Sequence, residues 1–194
     1  MEALEFAEFF TGIKPFSTVV HVFGAVCAMG AALVSDVLFT FYAADRRLSR
    51  MEVRTLAILS RIVWYGLLII AVSGAAIFLS DPERYLVSSK FLAKMTSTAV
   101  LVINGAVLGA FVSPHLMHAG FLTARREALV RHVAFACGAV SVISWVSVLT
   151  LGVLDGVRSS YGSLMGMYGI VLAIGIVSSL LAGTFAFGRK PIAR

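Results

Sequence analysis

The chain has 194 residues, 59% of them hydrophobic and 13% charged, against roughly half and a quarter in soluble domains. That balance excludes an ordinary water-soluble globule; the solvent is lipid. The net charge of +6 would suggest nucleic acid in a soluble chain, but the basic residues stand in short clusters between apolar runs, so no nucleic-acid partner is expected and the clusters read as topology signals.

The first residues, Met1 to Phe16, carry Glu2, Glu5 and Glu8 ahead of any apolar run. A secretory signal starts basic and ends at a small-residue cleavage site, so no cleaved signal is expected and the first helix should direct insertion. A bilayer core about 30 Å thick needs about 20 apolar residues in a helix, because every backbone polar group must be satisfied within the segment. Five stretches qualify, at about 17–42, 57–80, 91–112, 132–153 and 165–187. The links hold the punctuation: a charged stretch from Ala44 to Glu52, the capping turn Ser80-Asp81-Pro82-Glu83, a basic stretch from Thr123 to Arg131, and Asp155-Gly156. The expected architecture is an all-α membrane protein, a single domain over 1–194 built as a bundle of five transmembrane helices. Cys27 and Cys137 both fall inside apolar runs, where a disulfide framework is not the natural explanation.

Arg46, Arg47, Arg50, Arg54, Arg61, Arg125, Arg126, Arg131, Arg189, Lys190 and Arg194 all fall on one side of such a bundle. The other side holds Lys14, Arg84, Lys90, Lys94 and Arg158, diluted by acidic residues. The positive-inside rule then places the N-terminus outside and the C-terminus in the cytoplasm.

Ionisable groups at membrane depth are costly unless paired or hydrated, so each is a functional candidate. Asp36 lies about two turns from the arginine-rich end of the first span, and Arg61 about one turn into the second from the same end. An intramembrane ion pair between them is expected, with a proton or cation relay as the functional alternative. Gly24, Ala28, Ala31, Ala32 and Ser35 are small residues at helical spacing that admit a close neighbour. Ser141, Ser144 and Ser147, like Asn104, suit either interhelical hydrogen bonds or a hydrated path.

The histidines suggest metal chemistry. His115 and His118 end the third span and His132 opens the fourth from the same side, so the three should form one polar cluster. With Met117 between the first two, the set suits cuprous copper. His21, Met95, Met165 and Met167 supply donors near the other side, with Cys27, Met29 and Cys137 between. A facing histidine pair, His115 or His118 with His132, close to Arg125, Arg126 and Arg131, would alternatively clamp a single haem b. The bland reading has methionines filling gaps and histidines at the interface.

The run His21-Val22-Phe23-Gly24-Ala25, the segment Leu67 to Ala75 with Ser73-Gly74, and a third span entered by Lys94 and ended by Pro114 together resemble the copper resistance D family over about 18–116. The family's tryptophan-glycine-glycine element reads here as Ala28-Met29-Gly30-Ala31. What the resemblance implies is copper handling in a bacterial inner membrane, with His21 and Lys94 as the residues carried over. Three functions follow from these readings: a multi-pass inner-membrane protein that handles or transports copper or another soft metal ion, a haem-binding subunit for electron transfer, or a non-catalytic subunit of a larger membrane complex or homo-oligomer. The sequence has no phosphate loop, no Cys-x-x-Cys and no HExxH, and its links are too short for a soluble catalytic domain, so an enzyme acting on water-soluble substrates is not expected.

Overall fold

The computed structural model describes residues 2–44, 48–116, 127–154 and 159–188, with side chains described except at 2–7, 43–44 and 185–188. Among them there is no strand. Helix α1 covers Glu2–Ala44, α2 Arg50–Leu79, the short α3 Pro82–Leu86, α4 Ser89–Val107, α5 Ala128–Val153 and α6 Tyr161–Gly188. Among the described residues, five helical segments are long and apolar enough to cross a membrane: Glu8–Tyr42, Arg50–Leu79, Ser89–His115, Ala128–Val153 and Tyr161–Thr184. The chain is a multi-pass membrane protein. Its bundle has an arginine end, near Arg50 and Arg131, and a Pro82 end.

Local chemistry sets the boundaries. Ser49 and Glu52 form a capping box: the Glu52 carboxylate accepts from Ser49 N–H at 2.6 Å, and the Ser49 hydroxyl accepts from Glu52 N–H at 3.3 Å. Asp81 caps α3, with Pro82 at the first helical position, where its missing N–H costs nothing. Phe78, Tyr85 and Phe91 stack into an aromatic cluster at this end, as expected at a membrane interface.

Two boundaries differ from the sequence expectation. α1 begins at Glu2 and runs through Pro15, so the acidic segment before Ser17 is already helical. α4 does not continue regularly to Val112; it widens into a π-helical turn, Leu108–Val112, and then tightens into a 3-10 turn, Ser113–His115. Pro114 gives the reason: its ring would collide with the carbonyl four residues back in a regular α-helix, and the wider turn relieves that collision.

α1 and α2 form the most extensive contact, while α5 packs on α1, α4 and α6. The α1–α2 seam is made by glycines. A Cβ placed on Gly66 would fall 2.7 Å from the Cβ of Ala28, and one on Gly24 would fall 2.8 Å from the Ile69 side chain. Without a driving force from water, close backbone approach is what holds such helices together. Ala28, Ala32, Leu67, Leu101 and Trp145, drawn from α1, α2, α4 and α5, make the central apolar cluster.

Candidate intramembrane cation site

Next to that cluster, towards the arginine end, the four helices leave a cavity of about 90 Å³. It is lined by Ser35 and Asp36 of α1, Ser60 and Trp64 of α2, Asn104 and Gly105 of α4, and Ser141 and Trp145 of α5. Each arrives by helical spacing. On α1 the buried small residues Ala28 and Ala32 lead to Ser35 and Asp36 one turn later. On α5 the buried stripe Val130, Ala134, Cys137, Ser141, Ser144 and Trp145 carries Ser141 inward. On α4 Ser97, Leu101 and Asn104 are buried on one face, and the Asn104 amide donates to the Cys137 carbonyl at 3.0 Å, fixing α4 against α5. Gly105 makes room for Trp64, whose Cζ2 would stand 3.4 Å from a Cβ there.

Asp36 is the charged group of this cavity. Ser141 hydrogen-bonds its carboxylate, whose Oδ1 lies 3.9 Å from the position a Cβ on Gly138 would take. Its second oxygen, Oδ2, is buried with no hydrogen-bond partner among the described residues. A space of this size admits a few waters or one small partly hydrated ion. Ser97, farther toward the Pro82 end, is the other described residue with a buried oxygen that has no partner among the described residues; its contacts give no reason for it.

The expected ion pair with Arg61 is not formed. Arg61 follows the cavity-lining Ser60 directly in sequence, but it is exposed. One residue along a helix turns the side chain by about 100°, which takes Arg61 off the face that carries Ser60, Val63 and Leu67.

Helix face matters for the histidines too. His115 sits in the 3-10 turn after α4, its ring against Phe111 and its Nδ1 2.9 Å from the Phe111 carbonyl. His132 is exposed. It stands on the side of α5 that, farther along, meets α6 through Phe135, Ala139 and Ile143, and not on the stripe that meets α4. His115 thus belongs to the turn after α4, and His132 to the α6 side of α5. Met117 and His118 lie outside the described residues, and so do Arg125 and Arg126. Among the described residues no three His, Cys, Asp or Glu side chains gather as a metal site.

The residues carried over from the family resemblance have structural partners. His21 Nδ1 lies 3.1 Å from the Ile70 carbonyl and 3.2 Å from the Ser73 hydroxyl. The carbonyl can only accept, so Nδ1 carries the proton and ties α1 to α2. Lys94 turns toward the C-terminal end of α5, 3.7 Å from where a Cβ on Gly152 would be, and Lys90 donates to the Leu154 carbonyl there. Cations at a helix C-terminus are favoured by its exposed carbonyls. Of the methionines, Met95 and Met167 are exposed and Met29 packs against the central cluster. In the serine stripe, Ser144 shares a hydrogen bond of 2.7 Å with the Tyr168 hydroxyl, linking α5 to α6.

Sequence reasoning picked out Asp36, Asn104 and Ser141 separately but did not join them; it read Ser35 only as a small packing residue and passed over Ser60 and both tryptophans. The signal that could have joined them is the buried stripe on α5, whose spacing turns Ser141 to the same side as Cys137. Comparison with protein-family models, curated proteins and solved structures returns no match.

Proposed function

We propose that this is a cation-handling membrane protein in which Asp36 binds and releases a proton or a small hard cation within the bundle. One observation carries the reading: Asp36 Oδ2 is buried beside a cavity and has no hydrogen-bond partner among the described residues. An intramembrane carboxylate costs several kcal/mol unless paired or hydrated, and Ser141 attends to it with a single hydroxyl. The donors around the cavity are mainly oxygens, from Ser35, Asp36, Ser60, Asn104 and Ser141. Oxygen donors suit protons and hard cations, whereas cuprous copper seeks thiolate, thioether and imidazole. Copper handling and a haem b both rest on the His115, Met117, His118 and His132 group, and gain nothing from this cavity. In this reading the arginine end faces the cytoplasm of a bacterial inner membrane.

The test is cation movement in sealed vesicles containing the purified chain. Imposed proton, sodium and potassium gradients should decay faster than in protein-free vesicles. Asp36→Asn should reduce that decay at least tenfold, and Asp36→Glu should keep part of it. Equal decay for wild type and Asp36→Asn would refute the proposal.

A further inference from the structure

α2 is longer than a membrane requires. Its 30 residues extend about 45 Å at about 1.5 Å each, against a hydrocarbon core about 30 Å thick. Measured from Leu79, that core ends beside Ser60 and Arg61. The remaining turn-and-a-half to three turns, back to Arg50, stand in the headgroup layer.

The exposed face of this helix has a divided chemistry. Arg50, Arg54 and Arg61 are all exposed and lie within about 40° of one another around the axis at about 100° per residue. Beyond Arg61 the same face continues as Tyr65, Leu68 and Val72, exposed at 67%, 60% and 66%. The acidic residue of the first turn, Glu52, is engaged with Ser49 in the capping box and lies about 160° from Arg54 around the helix. Three guanidinium groups therefore stand at headgroup depth above an apolar strip that enters the hydrocarbon.

We propose that this face of α2 binds an anionic glycerophospholipid, its phosphate held by Arg54 and Arg61 and an acyl chain lying along Tyr65, Leu68 and Val72. Charge complementarity selects the occupant. Guanidinium pairs bind phosphate oxygens through paired hydrogen bonds, and an arginine at the hydrocarbon boundary gains a partner there that neither water nor a neutral acyl chain supplies. Zwitterionic lipids carry the same phosphate with a compensating cation, so the surface should prefer lipids with net negative charge. A transmembrane helix of another protein chain would fit the apolar strip but would leave the arginines facing bulk headgroups.

The full chain, in detergent with equal amounts of phosphatidylglycerol and phosphatidylcholine, would be analysed by native mass spectrometry. Retention of phosphatidylglycerol should exceed that of phosphatidylcholine at least fivefold. The Arg54→Gln/Arg61→Gln variant should fall to near parity, while Arg84→Gln at the opposite end should keep the preference. A second reading needs no variant. Trp64 is 41% exposed and Trp145 is 4% exposed, so lipid with brominated acyl chains quenches chiefly Trp64, which neighbours Arg61 on α2. Brominated phosphatidylglycerol should quench more strongly than its phosphatidylcholine counterpart at equal mole fraction. Equal retention of the two lipids, a preference unchanged in the double variant, or a dimer mass accompanied by no bound lipid would each overturn the proposal.

Discussion

α2 meets its two neighbours in opposite ways. Against α1 it is closed: Gly66 and Gly24 bring backbones so near that a single added carbon would overlap the opposite helix. Against α4 it is more open: Trp64 rests against Gly105, and Ser60, Trp64 and Asn104 help line a pocket of about 90 Å³. The comparison shows how a small bundle keeps a mostly apolar pocket that still holds a carboxylate and a few hydroxyls. Interlocked backbones at one seam fix the helix, so the other seam can hold a carboxylate and hydroxyls without collapsing onto them.

The largest effect should come from filling the closed seam. Gly66→Leu should cost about 3 kcal/mol, read as a lowered midpoint of thermal unfolding in detergent. Gly162→Leu, where nothing lies within 4 Å of the position, should cost less than about 0.5 kcal/mol. Equal losses would show that the glycine contact does not determine the seam.

The open seam should respond in the other direction. Asp36→Asn keeps the shape and removes a charge whose second oxygen lacks a partner, so stability should rise by about 1 kcal/mol while cation movement falls. A loss of stability would make Asp36 an anchor and bring the two seams into one class. Ser144→Ala and Tyr168→Phe should each cost about 1 kcal/mol, and the double variant should cost little more than either, since both remove the same interhelical bond. The smallest expected effect is the coupling between Asp36 and Arg61. The stability changes of Asp36→Asn and Arg61→Gln, whatever their signs, should add within about 0.5 kcal/mol, because the two side chains occupy different faces; a larger coupling would restore the ion pair.

How far the sequence spoke depends on which coordinate is asked for. Position along the membrane was legible. The five spans follow from apolar length, and the contact of Gly24 and Ala28 with α2 was visible as small residues at helical spacing. Azimuth was legible only where a stripe of several residues defined it, as on α5. Arg61, beside Ser60, and His132, beside Arg131, belong to no polar stripe at helical spacing, and such a residue sets a depth without setting a face. The cavity was beyond reach for a further reason: it needs the relative rotation of four helices, which no single helix encodes. Pro114 signalled the end of α4 but not the π-helical turn before it, since the strain of a proline can be relieved by a kink, a break or a wider turn.

The central claim, that the Asp36 cavity takes up a cation, can be read with a probe the chain already contains. Its two tryptophans, Trp64 and Trp145, both line the cavity. Intrinsic fluorescence of the purified chain in nanodiscs would be followed while proton and sodium concentrations are varied in turn at constant ionic strength. The account predicts a saturable change in the wild type for at least one of these ions, absent in Asp36→Asn. A wild type that does not respond to either ion, or an Asp36→Asn variant that responds identically, would contradict it.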